Sequence, residues 1–359
     1  MPAPRACTYD SELYDSRIII VTRVLVTGAQ GLLGRYFTNE QLGQDESVEI
    51  LGIGRSKRNN YTFNHEITLG ARSLKAPLPS ALRETSKSSR YNYDSLDVCN
   101  TSDLVSALKE FNPGRIIHLA SGLRDDPTEH LFRTNVLGTE SLYLAIARAN
   151  CLECRVVVVT SGSVYGSVAD DRLPLIEGTE ATPFDTYSVS KYAQERMAII
   201  LGYKLGISTI IARVFNVVAP GQDERHLCGK LASQLIAIET NLLTPKIFLE
   251  SIVTTRDFID ARDVARFLVI LSIKGKAGEA YNVASGQETR IQSIVDELIS
   301  LTLLETPLEI ERKPHRSIDM ARNFASIKKL AGLGIGSTIP LSVSLSDVLD
   351  YYRWCHTKV

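Results

Sequence analysis

Tyr187 and Lys191 stand four residues apart in the stretch Pro183-Phe184-Asp185-Thr186-Tyr187-Ser188-Val189-Ser190-Lys191-Tyr192. On a helix that spacing puts both side chains on one face, one turn from each other. A phenol has an unperturbed pKa near ~10, and a neighbouring ammonium stabilises its phenolate, so the pair is suited to moving a proton near neutral pH. No other tyrosine of this chain has a lysine four residues later. Upstream, Ser161 in Thr160-Ser161-Gly162-Ser163-Val164-Tyr165-Gly166 ends an apolar, β-branched run and brings a hydroxyl to the end of a buried strand.

A second pattern lies near the start of the chain. Val24-Leu25-Val26-Thr27 runs into Gly28-Ala29-Gln30-Gly31-Leu32-Leu33-Gly34 and continues through Tyr36 and Phe37 with helical periodicity. That order is strand, tight turn, helix. Three glycines at three-residue spacing there allow a sharp turn, close approach of a pyrophosphate, and close packing of helix on strand, with the phosphates on the helix N-terminus. The pattern predicts a dinucleotide site. Its cofactor preference is set at the end of the second strand, 48–54, where an acidic side chain would accept from a ribose 2′-hydroxyl. This strand runs instead into Gly54-Arg55-Ser56-Lys57-Arg58. Arg55 and Ser56 are suited to a 2′-phosphate, with Lys57 or Arg58 adding charge, so NADP(H) is expected over NAD(H).

The elements that must position these groups alternate along the chain. Strands are expected at 24–27, 48–54, 96–98, 115–121 and 155–160, with helices from Leu32, over 102–111, and over 135–149. Asn59 to Tyr93 reads as a loop or small excursion. His118, inside an apolar run, reads as a satisfied core histidine. Continuous apolar strands between helices predict an α/β doubly wound parallel sheet of Rossmann type, with its sites beyond the carboxyl ends of the strands.

The 359 residues are 44% hydrophobic and 23% charged with a net charge of −1, which gives no electrostatic case for nucleic acid or an anionic membrane as partner. No run is long enough to span a membrane. Six scattered cysteines suit reduced thiols and a cytoplasmic protein, and the lone Cys151/Cys154 pair lacks further ligands at zinc spacing, so no metal is expected.

Taken together, these residues resemble the extended short-chain dehydrogenase/reductase family, which includes nucleotide-sugar epimerases, dehydratases and reductases. The resemblance runs from about Arg23 to Trp354. It implies a catalytic trio of Ser161, Tyr187 and Lys191, with Asn135 helping to position the lysine. It implies cofactor contacts at Gly28, Gln30, Gly31, Leu32, Gly34, Arg55, Ser56, Asp97 near the adenine, Val98, Leu119, Ala120, Tyr187 and Lys191. Asn216 in Phe215-Asn216-Val217-Val218-Ala219-Pro220-Gly221-Gln222, Arg256 in Arg256-Asp257-Phe258, and Arg316 would meet the nucleotide diphosphate, with Ser163 near the sugar. The implied organisation is an N-terminal arm (1–22), a dinucleotide-binding domain (23–217 plus about 252–274), and a smaller interleaved C-terminal α/β substrate domain (218–251 plus 275–359). The resemblance also implies a homodimer packed through the Asn135 and Tyr187 helices.

Dehydratases of this family carry an acid after the catalytic Ser or Thr, where this chain has Gly162 and Ser163. Two reactions remain: NADPH-dependent reduction of a 4-keto-6-deoxy nucleotide sugar, with Tyr187 as proton donor, or NAD-dependent 4-epimerisation of a nucleotide sugar. The 215–222 stretch, the basic turn and the C-terminal segment most resemble GDP-4-keto-6-deoxy-mannose reductases, with Ala219 standing where a glycine is usual. A third reading, a catalytically silent dinucleotide-sensing protein, predicts damage to the trio, and the trio is intact.

Overall fold

Seven parallel strands form the centre of the computed structural model, which describes residues 22–249, 252–304, 308–312, 320–336 and 338–358. They are β1 (Thr22–Thr27), β2 (Val48–Gly54), β3 (Tyr91–Ser95), β4 (Arg115–His118), β5 (Arg155–Ser161), β6 (Ser208–Val214) and β7 (Ala280–Val283). Their order across the sheet is β3-β2-β1-β4-β5-β6-β7, so the winding reverses between β1 and β4. In an open parallel sheet that reversal leaves a crevice for ligand at the carboxyl ends of the strands.

The apolar runs are continuous because both faces of the sheet are covered. Val24, Val26, Ile50, Ile117, Val157, Val159 and Ile210 pack on one side. Their neighbours Leu25, Leu51, Ile116, Val156, Val158 and Ile211 pack on the other. Helices α1 (Leu32–Gln44) and α6 (Ala261–Lys274) lie on the first face. Helices α2 (Thr101–Phe111), α3 (Gly138–Arg148) and α4 (Thr186–Leu205) lie on the second. The side chain of Asn100 caps α2 by accepting from the backbone of Ser102 and Asp103.

Helix α5 (Leu227–Glu239), α7 (Ile291–Ser300) and α8 (Leu341–His356), with two short strand pairs and a small three-stranded sheet, make up the C-terminal portion. One strand that the sequence reading assigned to that portion, Ala280–Val283, is the edge of the main sheet, paired with β6 in parallel. Helix α8 starts at Leu341, and Ser344 inside it donates to Asp260 at 2.7 Å.

The segment expected as a loop, 59–93, is structured. Thr62–Leu69 and Arg72–Pro77 form an antiparallel hairpin, Ser80–Ser86 a short helix, and the third sheet strand is Tyr91–Ser95 rather than a strand ending in Leu96–Val98. Phe63, Ile67 and Leu69 alternate inward to the core, and the hairpin docks on α5, where Ser233 donates to the Thr68 carbonyl at 2.5 Å.

Candidate active site

Gly28, Gly31 and Gly34 differ in what a side chain would strike. Gly28 has φ +68°, and a Cβ there would lie 2.8 Å from the Ala120 nitrogen across the β1/β4 crevice. A Cβ on Gly34 would lie 2.5 Å from the Gly28 carbonyl oxygen, so this glycine lets α1 pack on its loop. Gly31 stands at the helix N-cap with no side chain closing the first turn, which leaves N–H groups facing the cleft. The loop therefore fits a pyrophosphate.

The turn after β2 is organised by Gln30, which donates to Ser56 Oγ at 3.0 Å and to the Lys57 carbonyl at 2.9 Å and accepts from the Asn59 N–H at 2.7 Å. Buried Arg35 braces the same amide oxygen at 2.9 Å. Arg55 and Ser56 line the cleft. Arg58 does not: its guanidinium turns back onto the Ser86 and Tyr91 carbonyls at 3.2 and 3.4 Å, so its expected contribution to a phosphate site falls away. Asp97 lines the cleft with its carboxylate on Arg133 at 2.9 Å and the Cys99 N–H at 3.0 Å. Burial would raise that carboxyl's pKa, and these two donors outweigh it and hold it low.

Ser161, at the end of β5, accepts from the Ser163 N–H at 3.1 Å. Tyr187 opens the first turn of α4, whose N-cap, Asp185, forms a capping box with Ser188. Burial pushes the Tyr187 phenol above its usual range, against the Arg124 charge and a hydrogen bond from Ser161, which both pull it down. Lys191, one turn on, is buried and drawn down to about 7 by loss of solvent. Its ammonium donates to the Val159 carbonyl at 3.1 Å and to Gln194 at 2.9 Å. The cation over the Tyr187 ring is Arg124, with 4.9 Å from guanidinium carbon to ring centroid.

Asn135 sits in a π-helical turn, Arg133–Leu137. Its amide donates to Ser190 at 2.9 Å and accepts from the Gly122 N–H at 2.9 Å, so its side chain is not on Lys191. The connection runs through its backbone: Thr139 Oγ1 donates to the Asn135 carbonyl at 2.6 Å and accepts from Gln194 at 3.2 Å, and Gln194 holds the lysine. His118 joins this chain, donating from Nε2 to Thr139 at 2.9 Å and accepting at Nδ1 from Thr27 at 2.8 Å. It is the satisfied core histidine expected, drawn down to about 3 by burial and then by the Lys191 charge.

A pH dependence follows from His118. The unfolded chain binds its proton below about 6.5 and the folded one only near 3, so the folded state loses stability as pH falls through that window. His118→Gln is expected to give a shallower loss between those pH values, measured as the slope of the urea-unfolding free energy against pH. Equal slopes for both proteins would contradict it.

Among the described residues, every sequence-predicted site residue except Asn135 and the basic pair Lys57 and Arg58 lines one open cleft of about 2040 Å³. Asn216, at its rim, donates to the Asp257 carbonyl at 2.9 Å. Arg256 donates to the Thr255 and Met320 carbonyls at 2.7 Å each while lining the same wall. Ser163 is buried with its hydroxyl unpartnered. Gly162 packs under Phe215, whose ring would lie 2.7 Å from a Cβ at that position. Arg316 lies outside the described residues. Sequence reasoning missed Arg124, Gln194, and the cleft face of the hairpin at His65, Glu66 and Lys75.

A glycine-rich turn at the reversal of a parallel sheet, facing Ser161, Tyr187 and Lys191 across one cleft, is the arrangement of a Rossmann-type, NAD(P)-dependent enzyme. The chain belongs to the NAD dependent epimerase/dehydratase family, whose model matches residues 24–284. It is 33% identical over 231 residues to GDP-6-deoxy-D-mannose reductase of Pseudomonas aeruginosa, covering 63% of this chain and 73% of that protein. It is 27% identical over 341 residues to UDP-glucose 4-epimerase of Mycolicibacterium smegmatis, covering 92% and 98%. The structure of RMD from Pseudomonas aeruginosa complexed with NADPH superposes with a TM-score of 0.74 at 25% identity, over 93% of this chain and 99% of that one. DesIV, a dTDP-glucose 4,6-dehydratase from Streptomyces venezuelae with NAD bound, shares the fold with a TM-score of 0.78 at 20% identity, over 94% and 98%.

Proposed function

We propose that the protein uses NADPH to reduce the keto carbon of a 4-keto-6-deoxy nucleotide sugar. The observation that carries this reading is the floor of the cleft beyond Ser161. The acid a dehydratase needs is absent at Gly162, where Phe215 fills the space a side chain would take, and at Ser163, whose hydroxyl is no strong acid. What remains is a pair of donors, Ser161 and Tyr187, for one carbonyl oxygen. When bound, the dihydronicotinamide supplies the hydride. Ser161 and Tyr187 hold the carbonyl oxygen, Tyr187 releases its proton to it, and Lys191 holds the cofactor ribose and replenishes that proton. The unpartnered Ser163 hydroxyl meets a sugar hydroxyl, and Asn216, Arg256 and Arg316 meet the diphosphate.

Similarity to the Mycolicibacterium epimerase over nearly its full length supports a second reading, 4-epimerisation with a retained NAD. The turn after β2 favours the first. It has no acid to bind a 2′-hydroxyl, while Ser56, held by Gln30, and Arg55 face the cleft. The free enzyme is expected to bind NADPH about tenfold or more tighter than NADH in a fluorescence titration, a gap of ~1.4 kcal/mol per decade. Arg55→Glu together with Ser56→Asp is expected to abolish the gap. Equal affinities in the parent protein would contradict the cofactor assignment.

The same reading places two copies of the chain face to face through α3 and α4. Leu137, Val189, Ile200 and Tyr203 are exposed on and beside those helices, with Tyr203 at 90%. No helix among the described residues is long and apolar enough to cross a membrane. The five described cysteines are free, which suits a reducing, cytoplasmic setting.

A further inference from the structure

Arg124 lies in the loop after β4, on the cleft wall in front of the phenol. Its guanidinium stacks on the Tyr187 ring and is ion-paired with the carboxylate of Asp185. Asp185 is the N-cap of α4, two residues before Tyr187, where its carboxylate also accepts from the Ser188 N–H at 2.7 Å. One carboxylate thus anchors both the helix that presents the tyrosine and the cation that covers it. The ammonium of Lys191 is meanwhile directed at the Val159 carbonyl and Gln194.

We propose that Asp185 and Arg124 form an electrostatic couple that sets the acidity of Tyr187, with Arg124 acting as a positioning residue through the phenol. This rests on Tyr187 being the proton donor of the reaction. A cation on the ring face favours phenolate over phenol, and the Asp185 carboxylate withdraws part of that effect. A guanidinium keeps its charge at every pH the protein meets. Lys191, buried on the inner side of the same helix, directs its ammonium at the Val159 carbonyl and Gln194, so Arg124 is the cation on the ring face. The other charges facing this point are Asp125 and Asp126 on the loop of Arg124, with Asp126 on His130, and Asp223 and Arg225, paired with each other, on the opposite lip.

The two members of the couple have opposite signs, and that makes the test specific. In protein without substrate or cofactor, the near-ultraviolet phenolate absorbance of each protein minus that of its Tyr187→Phe counterpart isolates the ionisation of this one phenol. Arg124→Gln is expected to raise the midpoint by about one pH unit, and Arg124→Lys to restore most of the shift. Asp185→Asn keeps a good N-cap and is expected to lower the midpoint. A merely structural role would move neither midpoint or move both the same way, and either result overturns the proposal. Because no sugar nucleotide is added, a wrong assignment of the substrate leaves this titration untouched and shows only in turnover assays.

Discussion

Tyr187→Phe is expected to lower turnover by about 10²- to 10⁴-fold, the range for removing a positioned proton donor, while leaving NADPH affinity close to that of the parent protein. The separation follows from the geometry. The ring of Tyr187 stays on the first turn of α4 under Arg124, so the substitution removes one hydroxyl and leaves the cleft wall in place. The glycine loop that would cradle a pyrophosphate lies elsewhere, at Gly28 to Gly34. Steady-state kcat and a fluorescence-detected NADPH Kd on the same preparation check both halves. Turnover within a factor of two or so of the parent would remove Tyr187 from the chemistry and revive the silent, dinucleotide-sensing reading.

Arg213→Met is expected to destabilise the fold by about 3–5 kcal/mol, the cost of leaving a buried charge without its partner. Arg213, on β6, donates from Nε to Glu195 at 3.0 Å, and the two side chains are 8% and 5% exposed. Nη2 donates to the second Glu195 oxygen at 2.5 Å, and Nη1 reaches the Tyr165 hydroxyl at 2.9 Å and the Glu177 carbonyl at 3.0 Å. Glu195 is one turn beyond Lys191, so this ion pair pins α4 to the sheet. The double variant Arg213→Met with Glu195→Met removes both charges and is expected to recover much of the loss. Urea denaturation of the single and double variants measures it. A double variant no more stable than the single one would show that the pair acts through hydrogen bonds to Tyr165 and Glu177 instead of through charge.

The parallel sheet was legible because strands buried on both faces read as unbroken apolar runs, and Val24 to Thr27 or Val156 to Val159 allow no other placement. The glycine loop was legible because its backbone demands are local: a positive φ at Gly28 and a near contact at Gly34. The hairpin at 62–77 was not. Its inward positions are Phe63, Ile67 and Leu69, but exposed charged residues such as Glu66, Arg72 and Lys75 interrupt the run and leave no continuous apolar stretch to read as a strand. Long-range pairings were illegible for a different reason. Arg124 belongs to no spacing pattern, and only the fold brings it 61 residues back along the chain from Asp185. Asn135 was placed near the right helix, but its link to Lys191 through Thr139 and Gln194 depends on a π turn that no periodicity reveals.

The most direct test of the central claim is to follow the loss of reduced-nicotinamide absorbance while the protein acts on a GDP-linked 4-keto-6-deoxy sugar, and to quantify the sugar product in the same reaction. A reductase consumes one NADPH for each deoxyhexose formed and none without the sugar nucleotide. Product that forms from a nucleotide sugar with no net consumption of NADPH, by protein that releases tightly held NAD on denaturation, would contradict the reductase and identify an epimerase.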